Sequence, residues 1–200
     1  MSEGPRLALP YHSGAGHTRL LTRAAAEGAA AAGARAQALE VEALFDDAAA
    51  GWATLDAADA ILLAAPTWMG AASGPFKTFM DASSDRWAAQ AWTDKLAAGL
   101  TVATFPSGDK LATLTQFAIF AAQHGMIWVG QAEIGGPAAA RDDGVNAAGA
   151  WLGVAATSDR DKSIMVPPGD LASARRLGAR LAAAAARWRA GGAAAAASAD

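Results

Sequence analysis

The chain has 200 residues and a formal net charge of −3, from 16 basic and 19 acidic side chains. At roughly 150 residues per domain this length fits one domain, and a composition of 53% hydrophobic and 18% charged residues excludes a disordered chain. The sequence has no block of basic residues, which argues against a nucleic-acid partner. The lack of cysteine excludes disulfides, thiol catalysis and thiolate metal sites.

The amino terminus has no apolar signal core, and no apolar run reaches the roughly 18 residues that a membrane span requires. A cysteine-free sequence is also consistent with a reducing compartment. We therefore expect a cytoplasmic protein without membrane contact.

Predicted strands and helices alternate along the chain. The five predicted strands cover residues 6–12, 35–42, 60–65, 100–105 and 126–130. The predicted helices cover residues 19–32, 73–87, 111–124 and 170–189. Residues 131–168 are longer than a usual connection, and we predict no regular element there. Residues 1–190 are expected to form the single domain, and the low-complexity residues 191–200 a disordered tail.

The third predicted strand, residues 60–65, is apolar at every position and lies between Asp59 and Pro66. Such a short continuous run is typical of a strand that is buried on both faces of a parallel sheet. Together with the alternation, it predicts an α/β fold with a parallel sheet and helices on both faces. Because ligands of these folds bind beyond the carboxyl ends of the strands, the loops after the first, third and fourth strands are the candidate site.

The first of these loops is a glycine-bearing turn that leads into a helix, and its residues are Ser13, Gly14, Ala15, Gly16, His17 and Thr18. Inward-turned backbone N–H groups, hydroxyls and a helix N-terminus suit a phosphate group. The alternative is an ordinary strand-to-helix turn in which Thr18 is the N-cap. The loop has neither the Gly-x-Gly-x-x-Gly pattern of dinucleotide sites nor the Gly-Lys-Ser/Thr of NTPases.

The other two loops combine small or polar residues with exposed aromatic candidates. The second begins with Pro66, Thr67, Trp68, Met69 and Gly70. The third contains Phe105, Pro106, Ser107, Gly108, Asp109 and Lys110. The second loop thereby presents backbone amides and an aromatic face together.

Residues 11–18, 66–81 and 123–130 resemble the NAD(P)H:quinone oxidoreductases of the tryptophan-repressor-binding-protein A type and the related NADPH-dependent FMN reductases. The resemblance covers most of residues 6–130. It implies a flavodoxin-like three-layer sandwich whose five-stranded parallel sheet has the order 2-1-3-4-5. It also implies FMN as cofactor, NAD(P)H as co-substrate, a quinone or flavin as acceptor, and a homodimer or homotetramer.

The resemblance assigns roles to particular positions. Residues 13–18 would hold the FMN phosphate, residues 66–70 would line the isoalloxazine ring, and residues 105–110 would border its other side. His124 would match a histidine near the flavin, and Trp87 a tryptophan that faces the flavin from a neighbouring subunit. The third loop is shorter than is usual in the family, with Asp109 and Lys110 in place of small residues.

A flavin performs hydride chemistry itself, so a site with few titratable residues is adequate. With no second domain for a nicotinamide nucleotide, NAD(P)H and the acceptor would use one pocket in turn. No grouping of His, Asp or Glu has metal-ligand spacing, and no Gly-x-Ser-x-Gly indicates a serine hydrolase. His12 and His17 are predicted either as general acid–base groups or as hydrogen-bonding histidines of the loop.

Two other functions remain open. A flavodoxin-type electron carrier is expected to be strongly acidic for electrostatic docking, and a net charge of −3 argues against it. A non-redox FMN-binding module is also possible, because a fold does not fix a function.

Overall fold

The computed structural model describes residues 3–46, 48–138, 143–159 and 165–197. Its strands are β1 (Arg6–Tyr11), β2 (Arg35–Glu40), β3 (Ala60–Trp68), β4 (Ala71–Ala72), β5 (Leu96–Ala103), β6 (Ile127–Trp128) and β7 (Val154–Thr157). Its α-helices are α1 (His17–Ala31), α2 (Ala43–Asp46), α3 (Ala48–Asp56), α4 (Gly74–Ala82), α5 (Ser84–Ala88), α6 (Lys110–Gln123) and α7 (Pro168–Ala197). No helix among these residues is long and apolar enough to cross a membrane.

The main sheet is parallel, and its strands lie in the order β2, β1, β3, β5, with β6 and β7 both beside β5. The predicted order 2-1-3-4-5 is therefore confirmed. The fifth position is shared by two strands, because Leu96 pairs with Ile127 at one end of β5 and Leu100 pairs with Val154 further along. The prediction that residues 131–168 hold no regular element was wrong for β7, whose four residues are too few to give a clear pattern.

Helices cover both faces of the sheet and create two hydrophobic cores. On one face α1 and α7 pack on residues such as Leu62, and on the other α3, α4 and α6 pack on Ile61 and Leu63. Successive side chains of β3 thus alternate between the two cores, as a strand covered on both faces requires. The three-layer arrangement predicted from the alternation is confirmed.

Several boundaries differ from the predictions. β5 begins at Leu96 rather than at residue 100, and the helix predicted over 73–87 is divided at Ser83 into α4 and α5. Helices α2 and α3 were not predicted, since their alanine-rich segment has little amphipathic pattern. Helix α7 continues to Ala197, so residues 191–197, expected in a disordered tail, are helical. Residues 198–200 lie outside the described residues.

Glycines allow α1 and α7 to approach each other backbone to backbone. A Cβ atom at Gly28 would overlap the carbonyl oxygen of Arg175, and one at Gly178 would overlap that of Ala25. The obstructing atoms are backbone atoms, which cannot rotate away. The two glycines therefore fix the distance between the helices that cover one face of the sheet.

We predict that Gly178→Ala lowers the free energy of unfolding by about 1–3 kcal/mol or more, because the added methyl group forces the helices apart. Gly191→Ala is the matched control in the same helix, where a Cβ meets nothing within 4 Å. That change should be neutral or stabilising by up to about 1 kcal/mol, from helix propensity alone. Urea unfolding followed by circular dichroism measures both, and equal effects of the two substitutions would contradict this account.

Candidate functional site

The first loop connects β1 to α1 at the carboxyl edge of the sheet. Helix α1 begins at His17, and its N-cap residue Gly16 has φ 93°, a left-handed conformation that favours glycine. The first N–H groups of a helix have no intrahelical acceptor, and with the positive end of the helix dipole they favour an anion. The structure therefore retains the features from which a phosphate site was predicted.

Two hydroxyls of this loop have different roles. The Oγ of Ser13 accepts a hydrogen bond of 3.1 Å from the backbone N–H of Arg19, which leaves its own hydroxyl hydrogen for another acceptor. Thr18 is buried in the first turn of α1 and is not the N-cap, which corrects the alternative considered above. The turn is thus held by Ser13 rather than by Thr18.

The second loop is a tight hairpin between β3 and β4. Met69 and Gly70, with φ 49° and 77°, join two antiparallel strands in which Trp68 faces Ala71. Two consecutive positive φ values are typical of the type I′ turn. The central positions of this turn favour glycine and asparagine, and Met69 is an exception. Its side chain is fully exposed. A residue in so unfavourable a conformation often marks a functional site.

The first and second loops touch each other through Trp68. A Cβ atom on Gly14 would lie 2.8 Å from Cη2 of the Trp68 indole. The other side of the turn is equally restricted, since a Cβ on Gly16 would lie 3.0 Å from Cε of Met165. Gly14 and Gly16 therefore keep the turn free of side chains where an exposed aromatic ring adjoins it.

Thr67 is anchored by its side chain. Its hydroxyl forms hydrogen bonds of 2.8 Å with the hydroxyls of Thr101 on β5 and Thr113 on α6, and all three side chains are buried. The hydroxyl of Thr67 is thus directed into the protein. Through these hydrogen bonds Thr67 fixes the end of β3 to β5 and α6.

The third loop is exposed from Phe105 to Ser107 and at Asp109, but Lys110 is buried. The Nζ of Lys110 donates to the carbonyl of Ala156 (3.0 Å) and to the hydroxyl of Thr157 (2.9 Å) on β7. Burial lowers the pKa of Lys110, and the charge of Asp170 acts in the opposite direction. Lys110, expected beside the ring, therefore has its amino group turned to β7.

The residue that sequence reasoning underrated is His12. Its Nδ1 lies 2.7 Å from the Oγ of Ser73, its Nε2 lies 3.2 Å from Glu42, and its ring meets Trp68 edge-on at 5.2 Å. His12 was weighed as an acid–base candidate, but Ser73 and Glu42 were not predicted as its partners. No local pattern marks them, because they lie 61 and 30 positions further along the chain.

His124 and Trp87 lie away from these loops. Helix α6 begins at the third loop and, with 14 residues, carries its far end about 20 Å along the sheet. His124 follows that end, where it stacks on Trp92 at 4.6 Å and bonds Ser83 at 3.0 Å. His124, expected near the flavin, therefore lies at the opposite end of α6 from the third loop.

The hydrogen bonds of Ser83 define the state of His124. Since Ser83 Oγ donates to the carbonyl of Met80, His124 Nε2 carries the hydrogen and donates to Ser83. Its Nδ1 is buried without a hydrogen-bond partner. Burial lowers the pKa of His124, which is consistent with a neutral ring.

Trp87 and His124 line one groove of about 1420 Å³ that follows α6 from the third loop to the end of the helix. Its walls include the exposed side chains of Leu111, Ile119 and Trp151. Trp87 is carried by α5, whose neighbouring Arg86 binds Asp56 through two hydrogen bonds of 3.0 and 3.1 Å. Among the residues that the structure describes, no group of three His, Asp or Glu could hold a metal ion.

The fold and the loops together define the class of the protein. It is a doubly wound α/β protein of the flavodoxin type, and the turn between β1 and α1 has the features from which an anion site was predicted. Residues 12–140 match the family model described as NADPH-dependent FMN reductase. The chain belongs to this family, which confirms the resemblance seen in the loop sequences.

Individual relatives agree with this assignment. Flavodoxin FldP of Pseudomonas aeruginosa is 38% identical over 175 residues, which are 86% of this chain and 92% of the relative. The crystal structure of a WrbA-like flavodoxin from Agrobacterium tumefaciens is 38% identical, with a TM-score of 0.69 over 90% of this chain and 97% of that one. The Trp repressor binding protein of Bacillus subtilis, 17% identical with a TM-score of 0.55 over 86% and 96% of the two chains, shares the fold.

Proposed function

We propose that this chain is an FMN-dependent oxidoreductase that passes hydride from NAD(P)H through bound FMN to a quinone, a flavin or a similar acceptor. The observation that carries the proposal is the contact between Gly14 and Trp68, where a phosphate-type turn meets an exposed aromatic ring. Membership in the NADPH-dependent FMN reductase family supports the choice of cofactor. A cytoplasmic location, where NAD(P)H is available, stays part of the proposal.

The residues of the three loops fit FMN. The turn of residues 13–18 would hold the phosphate through backbone N–H groups and the hydroxyl of Ser13, and the side chain of Trp68 with the hairpin at Met69 and Gly70 would border the ring. Bound FMN would supply the hydride chemistry. The exposed residues Phe105 to Ser107 would form the remaining border.

Because Trp68 and Met69 are exposed, the face of the ring beside them would be open to a second flat molecule. One open face serves one ligand at a time. NAD(P)H and the acceptor would therefore bind one after the other, and the cofactor would hold the electrons between the two binding events.

We predict that the protein binds FMN more tightly than riboflavin, since only FMN has a phosphate for the turn. Ser13→Ala should weaken FMN binding by about 1–3 kcal/mol, as expected for one hydrogen bond to a charged group. Its effect on riboflavin should be much smaller, which makes riboflavin the internal control. Quenching of flavin fluorescence measures both affinities, and equal affinities of the wild type for the two flavins would show that the turn does not hold the phosphate.

We predict parallel double-reciprocal lines for NADPH oxidation with added FMN and a benzoquinone, the pattern of a ping-pong scheme. Trp68→Ala should slow both half-reactions by about two- to tenfold, the worth of one aromatic contact. Trp188→Ala, an equally exposed tryptophan on α7, is the control and should slow neither. Intersecting lines, or an effect on one half-reaction only, would indicate two separate sites.

The names of two relatives favour a second candidate, an electron carrier, since both are called flavodoxins. The same assay separates the candidates, because NADPH alone should reduce the flavin of an enzyme rapidly and that of a carrier negligibly. A net charge of −3 gives little electrostatic docking and favours the enzyme.

The groove beside α6 supports a further part of the proposal, a homodimer or homotetramer in which Trp87 reaches the flavin of a neighbouring subunit. Leu111, Ile119 and Trp151 are more than half exposed along this groove. Contiguous apolar surface of this kind is typical of contacts between proteins. A two-fold arrangement would bury the groove of each subunit against the other.

We predict that light scattering of the FMN-bound protein at micromolar concentration gives the mass of two or four chains. Ile119→Lys should dissociate the assembly, because it places a charge in the apolar groove. Arg23→Glu, a charge change on the exposed side of α1, is the control and should leave the mass unchanged. A monodisperse monomer of the wild type would rule out the assembly.

A further inference from the structure

His12 joins three separate parts of the candidate site. It follows β1 directly, it is buried, and its two ring nitrogens reach Ser73 at 2.7 Å and Glu42 at 3.2 Å. Ser73 precedes α4 just after the hairpin, and Glu42 lies in the turn after β2. The ring also adjoins Trp68 at 5.2 Å, and its Cε1 would lie 3.9 Å from a Cβ on Gly14.

The three side chains have the distances of a serine–histidine–carboxylate triad, but Ser73 cannot act as a nucleophile. Its side chain is fully buried, and neither His12 nor Ser73 lines either of the two best-formed cavities among the described residues. A substrate would have no path to the hydroxyl. The arrangement must therefore serve another purpose.

Its hydrogen bonds permit two proton states of His12. A carboxylate only accepts, so Nε2 of His12 keeps its hydrogen toward Glu42 in either state. In the neutral state Nδ1 accepts from the hydroxyl of Ser73, and in the charged state Nδ1 donates to that same oxygen. A hydroxyl rotates freely, so His12 can gain a proton without losing either partner.

The ring of His12 lies beside a carboxylate that can balance a positive charge. Glu42 is about half exposed, and it is the charged group that faces His12. The other contacts of the ring, from the first loop, the hairpin and the start of α4, are the uncharged Gly14, Trp68 and Ser73. Glu42 thus compensates positive charge on a buried imidazole.

We propose that His12 takes up one proton at Nδ1 when the bound flavin is reduced, and releases it when the flavin is reoxidised, with Glu42 balancing the added positive charge. This inference rests on the flavin site proposed above, whose Gly14 and Trp68 both adjoin His12. A hydride brings two electrons and one hydrogen and so adds one negative charge to the site. The proton that His12 takes from solvent at Nδ1 balances that charge.

The same proton completes the second half of the reaction. A quinone needs a hydride and one proton to become a hydroquinone. The hydride would come from bound FMN, and the proton that His12 releases on returning to its neutral state would balance the proton that the quinone takes up. Atoms and charges then balance over the cycle, with NAD(P)H as reductant and the quinone as oxidant.

The midpoint potential of bound FMN, measured against pH with reference dyes and a chemical reductant, tests this inference without nicotinamide. Each proton taken up with two electrons changes the potential by about 30 mV per pH unit. Measured between about pH 5 and 8, the wild type should show a slope steeper than that of His12→Gln by up to one proton, or about 30 mV per pH unit. His12→Gln keeps hydrogen-bonding capacity but cannot charge.

Glu42→Gln provides a second test at a half-exposed position, and it should also flatten the slope. Glu40→Gln is its matched control, because Glu40 lies on the same chain segment but pairs with Arg19 at 3.6 Å rather than with His12. The slope of midpoint potential against pH of Glu40→Gln should equal that of the wild type. If His12→Gln fails to fold, the comparison of Glu42→Gln with Glu40→Gln tests the inference by itself, because only the first substitution should flatten the slope.

The outcomes separate this inference from the proposed function. Identical slopes in the wild type, His12→Gln and Glu42→Gln, with FMN bound in all three, would overturn the inference alone. A steeper slope in the wild type without NADPH turnover would support the inference and assign it to an electron carrier. Failure of the wild type to bind FMN would overturn both.

Discussion

The parallel pairing of β1, β3 and β5 is the constraint on which the candidate site depends. These strands lie side by side and run in one direction, so their carboxyl ends meet at a single edge of the sheet. Loops that are separated by about fifty residues in the chain are thereby brought together. The contact of Gly14 with Trp68 and the bonds of His12 with Ser73 are both consequences of this alignment.

Small and hydroxyl-bearing residues, rather than charges, form the interior of this edge. Thr67, Thr101 and Thr113 satisfy one another across β3, β5 and α6, which avoids the cost of burying unpaired polar groups. The glycines of the first loop keep its backbone accessible. The site proposed above would hold an anion through backbone dipoles and leave the redox chemistry to a bound group, as the family to which the chain belongs suggests.

Helix α6 connects two regions with different roles. Its first residue is tied to β7 by the buried amino group of Lys110, and Asp170 at the start of α7 accepts from the backbone of Thr157 on the same strand. Its far end is fixed by His124, Trp92 and Ser83. Between these two anchored ends, the exposed side chains of Leu111 and Ile119 form an apolar face.

The sequence by itself determined the alternation of elements, the sheet order that the family resemblance implied, the central buried strand and the positions of the three loops. Apart from the sheet order, these follow from local patterns, since apolar runs and glycine-bearing turns act on neighbouring residues. Only the tertiary structure decided that β6 and β7 share one position, that Lys110 turns to β7 and that His124 lies far from the first loop. It alone joined His12 to Glu42 and Ser73, because pairings between residues 30 to 61 positions apart depend on how the strands align and not on any local pattern.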